Sequence, residues 1–201
     1  MDLVLVRHAE PVRIVDAQGP ADPSLTDRGF RQAAAVAAFL AQESFDAIYA
    51  SPMQRARQTA DVIAEAQGLD VALEDGIAEY DRQSEFYIPV EELRTSDDPE
   101  IQAHWRALAE DRLEDVVADA ATFRPRVIEA LERLIATHPG ERVIAVCHGG
   151  VINVALAQIL GLQRSLWFEP AYASVHRVAG SRAGIRSIVA VNETGYLRGV
   201  S

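Results

Sequence analysis

The chain has 201 residues, 49% of them hydrophobic and 24% charged, with a formal net charge of −11. This balance fits one folded domain over residues 1–201 with a substantial core, and excludes a disordered or fibrous chain. The negative charge argues against a nucleic-acid surface or an anionic membrane as partner, and no apolar run reaches the roughly 20 residues of a membrane helix.

All 19 basic residues are arginine, so an anion site here must be built from Arg forks, His and backbone N–H groups. Asp2 stands where a secretion signal carries positive charge and the apolar run after it is too short for one, so the expected location is the cytoplasm. Cys147 is the only cysteine. That removes any intrachain disulfide or multi-cysteine metal site and leaves a small buried filler at the end of an apolar strand.

Leu3–Val6 is a short all-apolar run, as in a central strand buried on both faces. After a loop rich in Pro, Gly and Asp (16–24), Thr26 can cap a helix whose stripe is Phe30, Ala33, Ala37 and Leu40. Ala47–Ala50 is a second strand, and Pro52 opens a helix that Gly68 ends. Residues 123–137 form a helix with Val127, Ile128, Leu131, Leu134 and Ile135 on one face. Val143–Val146 is a third buried strand, Val151–Leu160 the helix after it. Val175–Val178 and Ile185–Val191 form a closing hairpin. The alternation predicts a three-layer α/β/α sandwich with a mostly parallel sheet and one antiparallel edge.

Residues 79–119 carry 13 acidic residues against 4 arginines, a net −9 of the chain's −11. They contain no clear strand and sit as an insertion would, at about 80–120, with the far half expected to be a solvated helical excursion over the site. His104 within it, His138 at a helix end and His176 in the hairpin are read as structural, with His138 as a partner for the helix dipole.

Ligand sites in open α/β sheets form at the carboxyl edge of the strands. The first strand runs into Arg7-His8-Ala9-Glu10, the second into Ser51-Pro52-Met53-Gln54-Arg55, and the third into His148-Gly149-Gly150. Two histidines and two arginines thus converge near helix N-termini, which favour an anion. Singly these features mean little, since an Arg-His pair is common and a His-Gly-Gly turn can be only a tight bend. Together they describe a phosphate pocket.

These residues resemble the histidine phosphatase superfamily, which includes the cofactor-dependent phosphoglycerate mutases. Leu5-Val6-Arg7-His8-Ala9-Glu10 is similar to its opening motif, with Ala9 where many members have glycine. Leu25-Thr26-Asp27-Arg28-Gly29-Phe30-Arg31-Gln32-Ala33 is similar to its second block, and Ser51-Pro52-Met53-Gln54-Arg55-Ala56-Arg57-Gln58-Thr59-Ala60 to its third. Val146-Cys147-His148-Gly149-Gly150-Val151-Ile152 is similar to its last. The resemblance spans about residues 3 to 192. It implies a phosphoenzyme mechanism in which His8 is the nucleophile and Arg7, Arg55 and His148 clamp the phosphoryl oxygens. It also implies that Gly149 contributes to phosphate binding and that Glu79 is the proton donor. No metal and no cofactor are implied.

Two departures bear on the transfer. Family members commonly follow the acid with a Phe-Gly-x-Trp-Glu-Gly segment, whereas Glu79 precedes Tyr80-Asp81-Arg82-Gln83-Ser84, and Asp81 is a competing carboxyl. The mutases' Trp-Asn segment is missing near Arg13, leaving Arg13 as a substrate contact or a surface residue. Mutases also carry an arginine pair for the substrate carboxylate, absent here. Hydrolysis of small phosphate monoesters is therefore expected, with Tyr80, Phe86 and Tyr87 as an apolar wall for the leaving group. The partner is a small phosphorylated metabolite, and a homodimer is compatible with the reading. The alternatives are mutase-type phosphotransfer and a catalytically idle phospho-ligand binder.

Overall fold

The computed structural model describes residues 1–117 and 120–200. Its centre is one six-stranded sheet of order β3-β2-β4-β1-β5-β6. The strands are β1 (Asp2–Arg7), β2 (Ala47–Ala50), β3 (Val71–Leu73), β4 (Arg142–Cys147), β5 (Val175–Gly180) and β6 (Arg186–Glu193). The first four run parallel, while β5 is antiparallel to β1 and to β6.

Side-chain alternation sorts the two inner strands into two cores. Leu3, Leu5, Val143, Ala145 and Cys147 point to one face, under α5 (Ala120–Thr137) and α6 (Gly149–Leu160). Val4, Val6, Ile144 and Val146 point to the other, under α1 (Asp27–Leu40) and α2 (Gln54–Gln67). The result is the three-layer α/β/α sandwich expected from the all-apolar strands. Cys147 is buried in the first core, and burial pushes its thiol well above the ordinary value, which keeps it protonated and inert.

Several boundaries differ from the sequence expectation. Thr26 caps α1 as expected, its hydroxyl oxygen accepting the Gly29 N–H at 2.9 Å, yet Phe30 is 43% exposed and the buried face runs through Gly29, Ala33, Val36, Ala37 and Leu40. The reason is Gly29. A Cβ there would lie 2.1 Å from the Glu10 carbonyl oxygen, so the helix approaches the β1 loop on its glycine, turning the next residue outward. Pro52 lies ahead of α2, which starts at Gln54, and α6 begins directly at Gly149. Helix α5 starts at Ala120, so Pro125 is inside it.

The acidic segment is not a solvated excursion. It holds α3 (Val90–Thr95) and α4 (Pro99–Ala109), and Leu93, Ala107, Leu108 and Leu113 are buried, the three leucines joining the α5/α6 core. Three apolar anchors of this size contribute about 1.5–3 kcal/mol each when fully buried, enough to dock a segment whose charge faces outward. Ahead of α3 within it, residues 84–87 are tied to the loop after β1 by Ile14 N–H to Tyr87 O (2.9 Å) and Tyr87 N–H to Ile14 O (2.7 Å). No helix among the described residues is long and apolar enough to cross a membrane.

Candidate active site

The carboxyl ends of β1, β2 and β4 meet at one point because backbone bonds continue past the strands. His8 N–H donates to Cys147 O at 2.9 Å and Ser51 N–H to Val146 O at 3.0 Å. His8 and His148, the latter capping α6, are thereby held with ring centroids 5.1 Å apart. A second tie comes from α2. Thr59 Oγ1 accepts the Ala9 N–H at 3.0 Å and donates to Arg55 O at 2.8 Å, fixing the loop after His8 to the helix that carries Arg55.

His8 Nδ1 lies 2.8 Å from the Ala9 carbonyl oxygen. A carbonyl only accepts, so Nδ1 carries the hydrogen and Nε2 is the bare nitrogen. Burial first, and then the Arg55 and Arg7 charges, hold His8 well below the ordinary imidazole range. His148 is lowered in the same direction by burial, Arg55 and His8. Its Nε2 is 2.7 Å from Ser51 Oγ, which also accepts the Met53 N–H at 3.3 Å. With the serine hydroxyl donating to Nε2, His148 Nδ1 bears the hydrogen.

Two guanidiniums flank the histidines. Arg7 Cζ sits 3.9 Å over the Tyr172 ring, with Nη1 on the Pro170 carbonyl. Arg55 is 1% exposed, its Cζ 4.6 Å over Tyr87, and its Nη2 is 2.9 and 3.2 Å from the two Asp81 oxygens. Arg55 Nε and Nη1 and His148 Nδ1 are buried with no hydrogen-bond partner among the described residues. Buried donors left unmatched are costly, and these three belong to the side chains that surround His8. A set of cationic and N–H donors in a dry site suits a phosphoryl group.

Glu79 closes the floor. It is 6% exposed, with Oε2 accepting the Gly150 N–H at 2.7 Å and Oε1 the Tyr80 N–H at 3.1 Å. Burial, helped by the Asp81 charge, pushes its carboxyl up to about 7 against the pull of those N–H groups and of Arg55. A carboxyl poised there can exchange a proton near neutrality.

Arg7, His8, Arg55, Glu79, Asp81 and Gly149 line one cavity of about 610 Å³, with Tyr80, Phe86 and Tyr87 on its wall. His148 stands behind His8, fully buried. Arg13 is on the surface, paired with Glu92 at 2.9 Å, and does not line the cavity. Away from the site, His138 bridges Tyr49 and Glu141. His176 is buried between Ser174 and the Asn192 N–H, and burial brings it down to about 4.

Sequence reasoning missed several members. His104, read as bland, lines the cavity against Phe86 (5.6 Å between centroids), beside Trp105. Trp167 and Phe168 line it from the loop after α6, where Asn153 Oδ1 accepts both their backbone N–H groups at 2.8 and 3.0 Å. The available signal was Asn153 itself, a polar residue inside Val151-Ile152-Asn153-Val154.

Comparison with known proteins is consistent with this geometry. A family model described as the histidine phosphatase superfamily (branch 1) matches residues 3–194. The chain is 33% identical over 169 residues to phosphoserine phosphatase 1 of Hydrogenobacter thermophilus, covering 83% of this chain and 80% of that one. Among solved structures, a phosphoserine phosphatase from Entamoeba histolytica in complex with phosphoserine aligns with a TM-score of 0.75 at 22% identity, over 98% of each chain. A mycobacterial glucosyl-3-phosphoglycerate phosphatase aligns with a TM-score of 0.68 at 26% identity, over 96% of this chain and 99% of its own.

Proposed function

Because the chain belongs to the histidine phosphatase superfamily and is by that kinship a phosphoric monoester hydrolase, we propose that it hydrolyses a small phosphorylated metabolite through a phosphohistidine on His8. The observation that carries this reading is the Nδ1 contact to the Ala9 carbonyl, which leaves Nε2 bare in a pocket whose burial, with the Arg55 and Arg7 charges, keeps the ring neutral.

In the first step Nε2 attacks phosphorus in line while the bond from phosphorus to the ester oxygen breaks. Arg7, Arg55 and the His148 Nδ1–H stabilise the equatorial oxygens, where charge is spread in the transition state. The Gly149 N–H, in the first turn of α6, adds a helix-terminus donor. Glu79 gives its proton to the leaving alkoxide. In the second step the Glu79 carboxylate takes a proton from water, the water oxygen bonds to phosphorus, and the phosphorus–nitrogen bond breaks. His8 returns neutral and phosphate leaves. Asp81, held on Arg55, keeps that guanidinium in register and adds negative charge beside Glu79.

Intact-mass measurement after rapid mixing with p-nitrophenyl phosphate tests the proposal. One phosphate adduct, labile to acid and stable to base, is expected on the wild type and none on His8→Ala, whose circular dichroism should be unchanged. A His8→Ala variant with full turnover would end it.

A further inference from the structure

Above the phosphoryl floor, the cavity differs sharply from one built for a charged metabolite. Its upper wall is aromatic, with Phe86 and His104 edge to face, Trp105 on the same helix as His104, and Trp167 and Phe168 with centroids 4.6 Å apart. The polar atoms that Trp167 and Asn153 bring to this wall are already used. Trp167 Nε1–H donates to Asn153 O at 3.1 Å, so the indole meets the cavity through its carbons. The Asn153 amide donates to Gly149 O and Phe168 O and accepts from two backbone N–H groups. Burial lowers His104, keeping it neutral at pH 7.

The charges point the same way. Apart from Arg7 and Arg55, which face the phosphoryl group, the one arginine lining the cavity among the described residues is Arg164. It is exposed, and its Nη2 donates to the Ala109 carbonyl. Against it stand Glu85, Asp81 on the Arg55 guanidinium and Glu169 on Arg94. A substrate carboxylate placed here would leave water for a wall whose one lining cation is already engaged and whose acids are not outnumbered, whereas an aryl group would bury its faces on rings.

We propose that the leaving group of the natural ester is an aryl-bearing alcohol without a carboxylate, seated against Phe86, His104, Trp105, Trp167 and Phe168. This sets the chain apart from relatives named for phosphoserine and for a phosphoglycerate ester. It rests on the phosphatase reading of the floor beneath.

The test compares kcat/KM of the wild-type protein for 2-phenylethyl phosphate, O-phosphoserine and 3-phosphoglycerate, with p-nitrophenyl phosphate as a general probe. All three are esters of primary alcohols, and serine's hydroxyl is a better leaving group than that of 2-phenylethanol, so chemistry alone favours phosphoserine over the phenylethyl ester. Burial of the phenyl ring should nevertheless put 2-phenylethyl phosphate ahead by about 10- to 100-fold. His104→Arg, which adds a cation to the wall, should raise kcat/KM for phosphoserine about 10-fold and lower that for the phenylethyl ester. A wild-type kcat/KM for 2-phenylethyl phosphate equal to or below that for either carboxylate ester overturns the proposal. Failure to turn over p-nitrophenyl phosphate would instead bring down the phosphatase reading itself.

Discussion

Replacing Glu79 by glutamine separates the roles of the floor most cleanly, because it keeps the side-chain shape and an acceptor for the Gly150 N–H while removing the transferable proton. A carboxyl raised from 4.5 to about 7 by burial and by Asp81 is one whose ionised form costs about 3 kcal/mol more in this site than in water. The folded state therefore holds the proton more tightly than the unfolded chain. Stability is undiminished below about pH 4.5, falls as pH rises toward 7, and levels off above. Glutamine cannot ionise, so Glu79→Gln should lose this slope, and at pH 8 it should gain up to about 3 kcal/mol over wild type, offset by the Tyr80 N–H, which now faces the amide NH2 instead of an acceptor. Catalysis should move the other way. For 2-phenylethyl phosphate the wild-type rate should decline above about pH 7 as the acid ionises, and the variant should be slower by about 10²–10⁴ with that limb gone. For p-nitrophenyl phosphate, whose phenolate leaves without a proton, the loss should stay within about tenfold. Initial rates for both esters across pH 5–9, with thermal melts alongside, check all of this. Equal slowing of the two esters would refute Glu79 as the acid. Asp81→Asn is the control. It should shift the limb to lower pH, since the Asp81 charge helps raise Glu79. If it alone shows the leaving-group dependence, the acid is Asp81.

Arg7→Ala and Arg55→Ala should each lose about 10²–10³ in kcat/KM and bind vanadate more weakly, and unchanged vanadate inhibition in both would remove them from the phosphoryl site. In Gly150→Ala the new Cβ would lie 2.3 Å from Glu79 Oε1 and 2.9 Å from Tyr80 Cδ1. The acid must shift, and alkyl-ester turnover should fall about 10²-fold with vanadate inhibition retained; a loss of vanadate inhibition would mean that the floor itself has moved. Dialysis against a chelator should leave turnover intact, and a large loss restored by a divalent metal would refute the mechanism.

The chain's periodicity determined the layers and the floor. All-apolar runs at Leu3–Val6 and Val143–Val146 can be satisfied only as strands covered on both faces, and strands so covered deliver whatever follows them to a common edge. Arg7, His8, Arg55 and His148 are legible for that reason, each within a few residues of a strand end. Glu79 and Asp81 are near neighbours in sequence, and only the fold parts them. One accepts the Gly150 N–H under burial, and the other grips the Arg55 fork. Proximity in sequence says nothing about which oxygen loses water. The same holds for the upper wall. His104 and Trp105 lie in a segment whose composition reads as solvated, because 13 acids mask three leucines. Its docking depends on where Leu93, Leu108 and Leu113 fall relative to α5 and α6, a matter of packing between elements distant in sequence. Local pattern records the period of a helix or strand. Which side chains share a cavity is set by burial across the whole chain.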